Sequence, residues 1–249
     1  MDVKNILIMV AVIVLLYIVI AYFLKDSNTM SGLMSGTSSQ QIAASTLAKD
    51  PSGLNQANFA YSIWYYIDDW NYNYNAPKIL FARSHPINTS VTVDDGAISM
   101  SNPCPLVSFS PDVNNLDVYL AIEQVSSNSH SDFKKCTVEN VPIQKWTNVI
   151  ISVYGRSLDI YLDGKLIKTC PLSNTVLVDP TTNVTVTPNG GFSGWTSKFA
   201  YYPNALNPQQ VWDIYSAGYG ASWLSNIFGQ YTMQVSFLEN GVENSSFTI

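Results

Sequence analysis

Residues 155–170, GRSLDIYLDGKLIKTC, constrain the fold more than any other stretch of the chain. Every second residue from Leu158 to Leu162 is apolar, which is typical of a strand with one buried face. Asp163-Gly164 then separates this run from a second one, and Asp-Gly in that position is a strong signal for a β-hairpin. Gly164 can adopt the positive φ that the tight turn requires. The stretch predicts a hairpin and says nothing about function.

Short segments of the same kind continue from Phe59 onward, separated by clusters of Asn, Asp, Gly, Pro and Ser. This pattern is typical of an all-β sandwich or jelly roll. The predicted strands are residues 59–67, 78–84, 105–111, 116–125, 146–155, the two strands of the hairpin, 190–203 and 231–238. Residues 207–218 differ, because Pro208 near the start and Gly218 at the end bracket a helical pattern. We therefore expect one short helix on the sandwich.

Composition argues against nucleic acid as a partner. The chain has 249 residues, a formal net charge of −6 and only 12 Lys and Arg. Nucleic-acid binding needs clustered cations that neutralise phosphates, so we expect none here. The 15 Tyr, 10 Phe and 6 Trp instead suit strands and contact surfaces.

Residues 6–24 form an apolar run without charged residues, Gly or Pro. A helix needs about 20 apolar residues to cross the hydrocarbon core of a bilayer, so the run predicts a single transmembrane helix. A cleaved signal peptide and a buried core helix are the alternatives, and the charged residues directly after the run favour an uncleaved anchor over residues 1–25. The membrane orientation stays open, because Lys4 and Lys25 flank the run on both sides.

Residues 26–56 are rich in Ser, Thr and Gly. Such a segment buries too little surface to offset its chain entropy, so it predicts a stalk outside the sandwich. The stalk would become ordered against neighbouring subunits through its few apolar side chains, Met30, Leu33, Met34, Ile42 and Leu47. A sandwich over residues 57–220 would follow, and then a C-terminal strand or hairpin over 221–249 that completes or extends it.

Three segments carry a family resemblance. They are FAYSIWYYIDDW (59–70), CTVENVPIQKWTNVIISVYGRSLDIYLDGKLIKTC (136–170) and GGFSGWTSKFAYYPNALNPQQVWDIYSAG (190–218). In this order they resemble a laminin-G-like domain of the concanavalin A-like superfamily, which implies a jelly-roll sandwich. That superfamily includes lectins, glycosidases and structural modules. An N-terminal anchor with one such domain also resembles virion proteins of large algal or amoebal DNA viruses.

The carboxylates argue against hydrolysis. The hydrolases of the superfamily carry Glu and Asp two residues apart on one strand, so that both face the substrate. The four Glu of this chain lack such a partner: Glu123, Glu139, Glu239 and Glu243. With only two His and no nucleophile elbow, nucleophilic catalysis has no support either. We expect a non-enzymatic protein without a cofactor.

The best candidate contact site is a loop at residues 68–77, here called the contact loop. Its candidate residues are Asp68, Asp69, Trp70, Asn71, Tyr72 and Tyr74. The aromatic rings suit contact with a protein or stacking against a sugar, and Trp70 has the alternative of packing under the loop. The adjacent acidic pairs Asp68-Asp69 and Asp94-Asp95 have the oxygen ligands that calcium prefers. Asp in turns more often caps backbone amides, so we expect no metal site.

Cysteine positions predict one disulfide. Cys136 and Cys170 flank a strand and the hairpin after it, which brings them within bonding reach at one edge of a sheet. Two buried free thiols are the alternative, and Cys104 is expected to be free. The triplets at Asn88, Asn183 and Asn244 are possible N-glycosylation sites.

Together these features predict a single-pass, membrane-anchored structural protein. Its partners would be the bilayer, through residues 6–24, and neighbouring capsid or coat proteins. The resemblance to virion proteins implies a minor capsid protein between the shell of a large DNA virus and its internal membrane. The alternative is a membrane-anchored lectin that binds glycans through the contact loop.

Overall fold

The computed structural model describes residues 12, 14–17, 28–47, 57–84, 103–123 and 133–220, and the backbone alone of 132, 234–239 and 242–248. The strands in chain order are β1 (Thr29–Ser31), β2 (Met34–Ser35), β3 (Gln40–Ile42), β4 (Phe59–Asp69), β5 (Lys78–Arg83), β6 (Leu106–Phe109), β7 (Leu116–Ile122), β8 (Asp132–Val138), β9 (Thr147–Tyr154), β10 (Ser157–Leu162), β11 (Lys165–Pro171), β12 (Val184–Val186), β13 (Ser193–Tyr202), β14 (Gln234–Glu239) and β15 (Val242–Thr248). An α-helix, α1, spans Pro208–Ser216, and a 3-10 turn spans Ala44–Thr46.

Two antiparallel sheets form a sandwich. One has seven strands in the order β1-β13-β4-β9-β10-β11, with β2 also pairing with β13. The other has six strands in the order β3-β12-β5-β6-β7-β8. Both contribute to one core, in which the rings of Tyr61, Phe81 and Phe199 lie between 5.1 and 5.8 Å apart. The predicted all-β sandwich with one short helix is confirmed.

The predicted hairpin is β10 and β11. Its turn residues Asp163 and Gly164 have φ values of 48° and 75°, as a tight hairpin turn requires. Ile160 on β10 is fully buried, whereas Leu166 and Ile167 are each 51% exposed. The second half of the hairpin is exposed because β11 is the edge strand of the seven-stranded sheet.

The helix begins and packs as its sequence predicts. The Asn207 side chain accepts from the Gln210 backbone N–H, and the Gln210 side chain accepts from the Asn207 N–H, each at 2.9 Å. This capping box satisfies two amides at the helix start. Val211 is fully buried against Ile150 and Tyr161, so α1 covers part of the outer face of the seven-stranded sheet.

Cys136 and Cys170 form the predicted disulfide, with their Cα atoms 6.3 Å apart. They lie on β8 and β11, the edge strands of opposite sheets, so the bond joins the two sheets along one side. Beside it, Lys168 Nζ donates to the Thr137 carbonyl at 2.7 Å. Cys104 is free and buried, and burial raises the pKa of its thiol to about 12.

The predicted stalk is wrong over residues 28–47, which belong to the sandwich. There β1 and β2 pair with β13, and β3 pairs with β12. Ile42 and Leu47, expected to dock against neighbouring subunits, are each 6% exposed in the core of their own chain. The two methionines pack on the same core, while Leu33 stays 62% exposed. Pairing with the sandwich supplies the burial that this segment lacks by itself.

Most of the predicted anchor and parts of the predicted stalk lie outside the described residues. Val12 and residues 14–17 are helical, and their side chains are between 45% and 65% exposed. Within the described part of the chain, no helix is long and apolar enough to cross a membrane. In the C-terminal segment, β14 pairs with β15 as a separate two-stranded sheet, so the hairpin there extends neither large sheet by backbone pairing.

Candidate functional site

The sandwich has two ends with different contents. The chain joins β1 at Asn28, whose carbonyl accepts from the Tyr201 N–H at 3.1 Å. Tyr201 pairs with Tyr61 near the start of β4, and we call this the N-terminal end. The contact loop follows Asp69, the last residue of β4, and we call this the loop end. The length of β4 therefore separates the contact loop from the place where the chain enters the sandwich.

The contact loop is a series of turns closed by hydrogen bonds to its own backbone amides. Asp69 Oδ1 accepts from the Asn71 N–H at 2.9 Å. The Tyr74 and Ala76 N–H groups donate to the carbonyls of Asn71 and Asn73, each at 3.1 Å. Asn73 has a φ of 52°, a left-handed conformation that Asn tolerates better than most residues. The Asn-rich composition of the loop thus serves its backbone conformation.

Trp70 packs beneath the loop. Its ring lies 4.7 Å from Lys78 Nζ and forms an edge-to-face contact with Phe109 at 6.2 Å between centroids. The sequence leaves three interpretations of Trp70 open: contact with a protein, stacking against a sugar and packing under the loop. The structure shows that Trp70 packs under the loop. Tyr72 and Tyr74 differ, because they are 36% and 58% exposed and form the accessible aromatic surface of the loop.

A buried cation supports the loop from below. Lys78 is fully buried, and its Nζ donates to the carbonyls of Asn73 and Pro111 at 3.3 and 3.4 Å. Desolvation lowers the pKa of Lys78, and the Asp69 charge opposes this. The ammonium group therefore ties the contact loop to the turn after β6, and it costs free energy to keep the charge there.

Of the two acidic residues of the loop, Asp69 acts as a cap, whereas Asp68 is exposed and its backbone carbonyl accepts from Gln144 Nε2 at 3.3 Å. Asp69 accepts from a backbone amide, which is the role that Asp commonly has in turns. In the described ranges, no three His, Cys, Asp or Glu side chains gather where they would share a metal ion. Asp94 and Asp95 lie outside those ranges.

A polar groove of about 600 Å³ lies beside the contact loop, on the outer face of the six-stranded sheet. Asn75 and Pro77 of the loop form one wall, and outward-facing side chains of β6, β7 and β8 form the floor. Ligand sites commonly have volumes of about 300–1,000 Å³, so the groove is large enough for a small molecule. Sequence reasoning missed this groove.

Asp117 forms the polar centre of the groove and is only 2% exposed. Its two carboxylate oxygens accept from the hydroxyls of Ser110 at 2.6 Å and Thr137 at 2.5 Å. Lys135 Nζ lies 3.5 Å from the same carboxylate and 5.5 Å from the centre of the Tyr119 ring. Both carboxylate oxygens therefore accept hydrogen bonds, which fix the orientation of the neighbouring Ser110 and Thr137 hydroxyls.

Aromatic side chains form a continuous row on the outer face of the seven-stranded sheet. The aromatic row consists of Tyr66, Trp146, Tyr219, Trp64, Tyr215 and Trp212, in the order of their ring contacts. Trp146 and Tyr219 are stacked with centroids 4.5 Å apart. Trp195 pairs with Tyr66 across the strands and is 48% exposed, and Trp212 is 49% exposed.

Asn183 is the one predicted glycosylation site whose side chain the structure describes. It is half-buried, and its Oδ1 accepts from the Ala44 N–H at 2.9 Å, which holds the turn after β3 against β12. Asn88 lies outside the described residues, as does the side chain of Asn244. Use of these sites stays a prediction.

The sequence matches no known protein-family model, and no curated protein is significantly similar to it. Solved structures do share its fold. The receptor binding domain of botulinum neurotoxin mosaic serotype C/D matches with a TM-score of 0.51 and 13% identity, over 78% of this chain and 44% of that chain. The receptor binding domain of botulinum neurotoxin D matches with the same TM-score and identity, over 76% of this chain and 44% of that chain.

The chain thus spans less than half the length of these neurotoxin chains. At this identity the likeness shows the fold alone. It agrees with the two-sheet antiparallel sandwich described above, which confirms the predicted all-β sandwich, and the relation to the laminin-G-like domains stays a resemblance.

Proposed function

We propose that this chain is a non-enzymatic, membrane-anchored interaction protein. Residues 6–24 hold it in a bilayer, and the loop end of the sandwich meets neighbouring proteins. In its more specific form, the proposal is a minor capsid protein that links the shell of a large DNA virus to its internal membrane. The specific form rests on the resemblance of the anchored sandwich to virion proteins.

The separation of the two ends carries the proposal. The chain enters the sandwich at the N-terminal end, and the contact loop lies beyond the far end of β4. A strand rises about 3.3 Å per residue, so the 11 residues of β4 span roughly 35 Å. A domain tethered at one end presents its other end to partners.

Exposed apolar side chains at the loop end support protein contact there. Tyr74 in the contact loop is 58% exposed, and Trp195 and Trp212, on the adjoining outer face of the seven-stranded sheet, are 48% and 49% exposed. Val113 and Ile143, in neighbouring turns of the same end, are 46% and 40% exposed. Aromatic residues are enriched at protein interfaces, so these exposed side chains suit contact with a partner.

The apolar run supports the membrane part of the proposal. Its described residues are helical and expose apolar side chains, and a helix that is apolar on all sides suits a lipid environment.

Flotation of the full chain with liposomes tests the anchoring. The wild type is expected to float and to resist alkaline extraction. Leu15→Arg should lose most of the floating fraction, because Arg at the centre of a spanning helix costs about 3 kcal/mol. Leu33→Arg is the matched control, since Leu33 is similarly exposed but lies between β1 and β2. A wild-type chain that stays at the bottom of the gradient would contradict the proposal.

Lysine cross-linking in native membranes, read by mass spectrometry, tests the protein contact. Lys145 lies before β9 and Lys165 is the first residue of β11, both at the loop end, and the Lys145 side chain is 63% exposed. We expect both to link to one recurring partner protein. Links that stay within the chain would count against a protein partner at this end.

The groove favours a second candidate function, membrane-anchored glycan binding. Its size and its hydroxyl, amide and carboxylate lining suit a sugar. On a glycan array, this candidate predicts binding that is lost in Lys135→Gln, at the groove, and kept in Lys165→Gln, on the hairpin. A wild-type chain that binds no glycan would leave protein contact as the function.

A further inference from the structure

We propose that the turn between β9 and β10, with Tyr154 and Arg156, lies in the lipid headgroup layer when the chain is anchored. This inference rests on the membrane anchoring proposed above and deepens it, because it assigns the phospholipid surface as the ligand of the N-terminal end. It follows from the length of chain outside the sandwich and from the position of the turn.

Chain length limits the distance between the bilayer and the sandwich. The apolar run ends at Leu24. Four residues later the chain has joined the sandwich, because the Asn28 carbonyl accepts a hydrogen bond from the Tyr201 N–H. Four residue steps of at most about 3.6 Å span no more than about 14 Å. The headgroup layer on each side of the hydrocarbon is about 5–8 Å thick. Asn28 therefore lies close above the headgroups in the anchored chain.

The β9–β10 turn extends further toward the bilayer than Asn28 does. Cross-strand pairing places Asn28 and Ile151 at the same height along the strands. Asn28 is hydrogen-bonded to Tyr201, Tyr201 pairs with Tyr61, and Tyr61 pairs with Ile151. Tyr154 comes three residues after Ile151 along β9, which adds about 10 Å in the same direction. With the strands upright and the linker fully extended, Tyr154 lies about 4 Å from the hydrocarbon, at headgroup depth.

The turn has the chemistry of a membrane interface. Tyr154 is 71% exposed, the largest value among the exposed large apolar side chains that the structure describes, and Arg156 is exposed beside it. Tyr is enriched at membrane–water interfaces, and a guanidinium group matches the geometry of phosphate. Gly155 N–H donates to Asn58 Oδ1 at 2.8 Å, and Leu172 N–H donates to the Arg156 carbonyl at 2.9 Å. These bonds hold the backbone, so both side chains are presented in place.

The test uses the full chain in liposomes that carry a nitroxide label on the lipid headgroup. A bimane fluorophore is attached to Tyr154→Cys at the turn. Tyr74→Cys at the loop end and Trp195→Cys on the seven-stranded sheet are matched controls, because these positions are also exposed. The natural thiols do not interfere, since Cys104 is buried and the other two cysteines are bonded.

We expect the nitroxide to quench most of the emission at position 154 and to leave the emission at 74 and 195 unchanged. Quenching at 195 or at all three positions would overturn the inference, because the sandwich would then lie on its sheet face. Quenching at none of them, in vesicles that carry the protein on flotation, would overturn it while the anchoring stands. A chain that fails to float contradicts the anchoring itself.

Discussion

The two ends of the sandwich are built from the same strands and differ in what they expose. Each has a buried cation at one end of β5: Lys78 beneath the contact loop, and Arg83, whose Nε donates to the Thr182 carbonyl at 3.2 Å. In the part of the chain that the structure describes, the N-terminal end closes the seven-stranded sheet with the tight turn at Gly155, whereas the loop end carries longer turns with exposed aromatic rings. The strands determine where both sets of loops lie. In the proposed function, the membrane attachment would leave the loop end free to meet a partner.

Removing the disulfide should weaken both ends alike, and it has the largest expected effect. The bond closes a sequence separation of 34 residues, which is worth about 4 kcal/mol in the chain-entropy model. We expect Cys136→Ala/Cys170→Ala to lower the free energy of unfolding by about this amount in urea titrations. Hydrogen exchange should become faster at both ends, and acceleration at one end alone would show that the bond supports only that end.

A pair of glycines distinguishes the two ends by their packing. At the loop end, Gly194 has a φ of 145°, and a Cβ there would overlap the Tyr66 carbonyl oxygen. We expect Gly194→Ala to lower the free energy of unfolding by about 3 kcal/mol, because the backbone must move. At the N-terminal end, Gly155 has no neighbour within 4 Å of such a Cβ, so Gly155→Ala should cost only about 1 kcal/mol for its positive φ. Equal losses in thermal unfolding would contradict this contrast.

Replacing the cation under the contact loop should loosen one end and spare the other. Lys78→Met removes two hydrogen bonds to loop carbonyls and also relieves the burial of a charge, so we expect a net loss of about 2 kcal/mol. Exchange of the Tyr74 and Ala76 amides should become faster. Arg83→Met, at the opposite end, is the matched control and should leave both amides unchanged. Unchanged exchange in Lys78→Met would show that the cation does not support the loop.

Alkaline pH should affect both ends to the same small extent. Burial raises the pKa of Tyr61 near the N-terminal end and of Tyr65 nearer the loop end. The unfolded chain releases these protons near pH 10 while the folded chain keeps them, so stability falls as the pH rises above 10. Each tyrosine accounts for about 1.4 kcal/mol at pH 11.

We expect Tyr61→Phe and Tyr65→Phe each to reduce, by about that amount, the loss of unfolding free energy between pH 9 and pH 11. Urea titrations at the two pH values measure it. A loss as large as that of the wild type would contradict the burial of the phenol concerned.

Much of the sandwich could be predicted because its long strands carry a regular pattern. The hairpin turn at Asp163-Gly164 and the capped helix at Asn207 have local signals that suffice by themselves. The short strands have no such signal. The segments β1, β2, β3 and β12 contain two or three residues each, and only their partners in the sheets make them strands. The edge strand β8 was also missed, since DFKKCTV mixes lysines with its buried Cys136.

The candidate site was harder to predict than the fold, because its parts come from distant positions. Ser110, Asp117 and Thr137 meet in the groove from three separate segments, and one of these includes the unpredicted β8. The packing of Trp70 could not be predicted for the same reason, although it lies within one loop. Its neighbours Lys78 and Phe109 decide that it packs, and their approach is a property of the folded sheet.

Photo-cross-linking from two positions tests most directly whether the loop end meets protein while the N-terminal end faces the membrane. A photoreactive amino acid replaces Tyr74 in one full chain and Tyr154 in another, each in its native membrane. We expect position 74 to form an adduct with a partner protein and position 154 to form an adduct with lipid. Lipid adducts at 74, or protein adducts at 154 with none at 74, would contradict the proposed function.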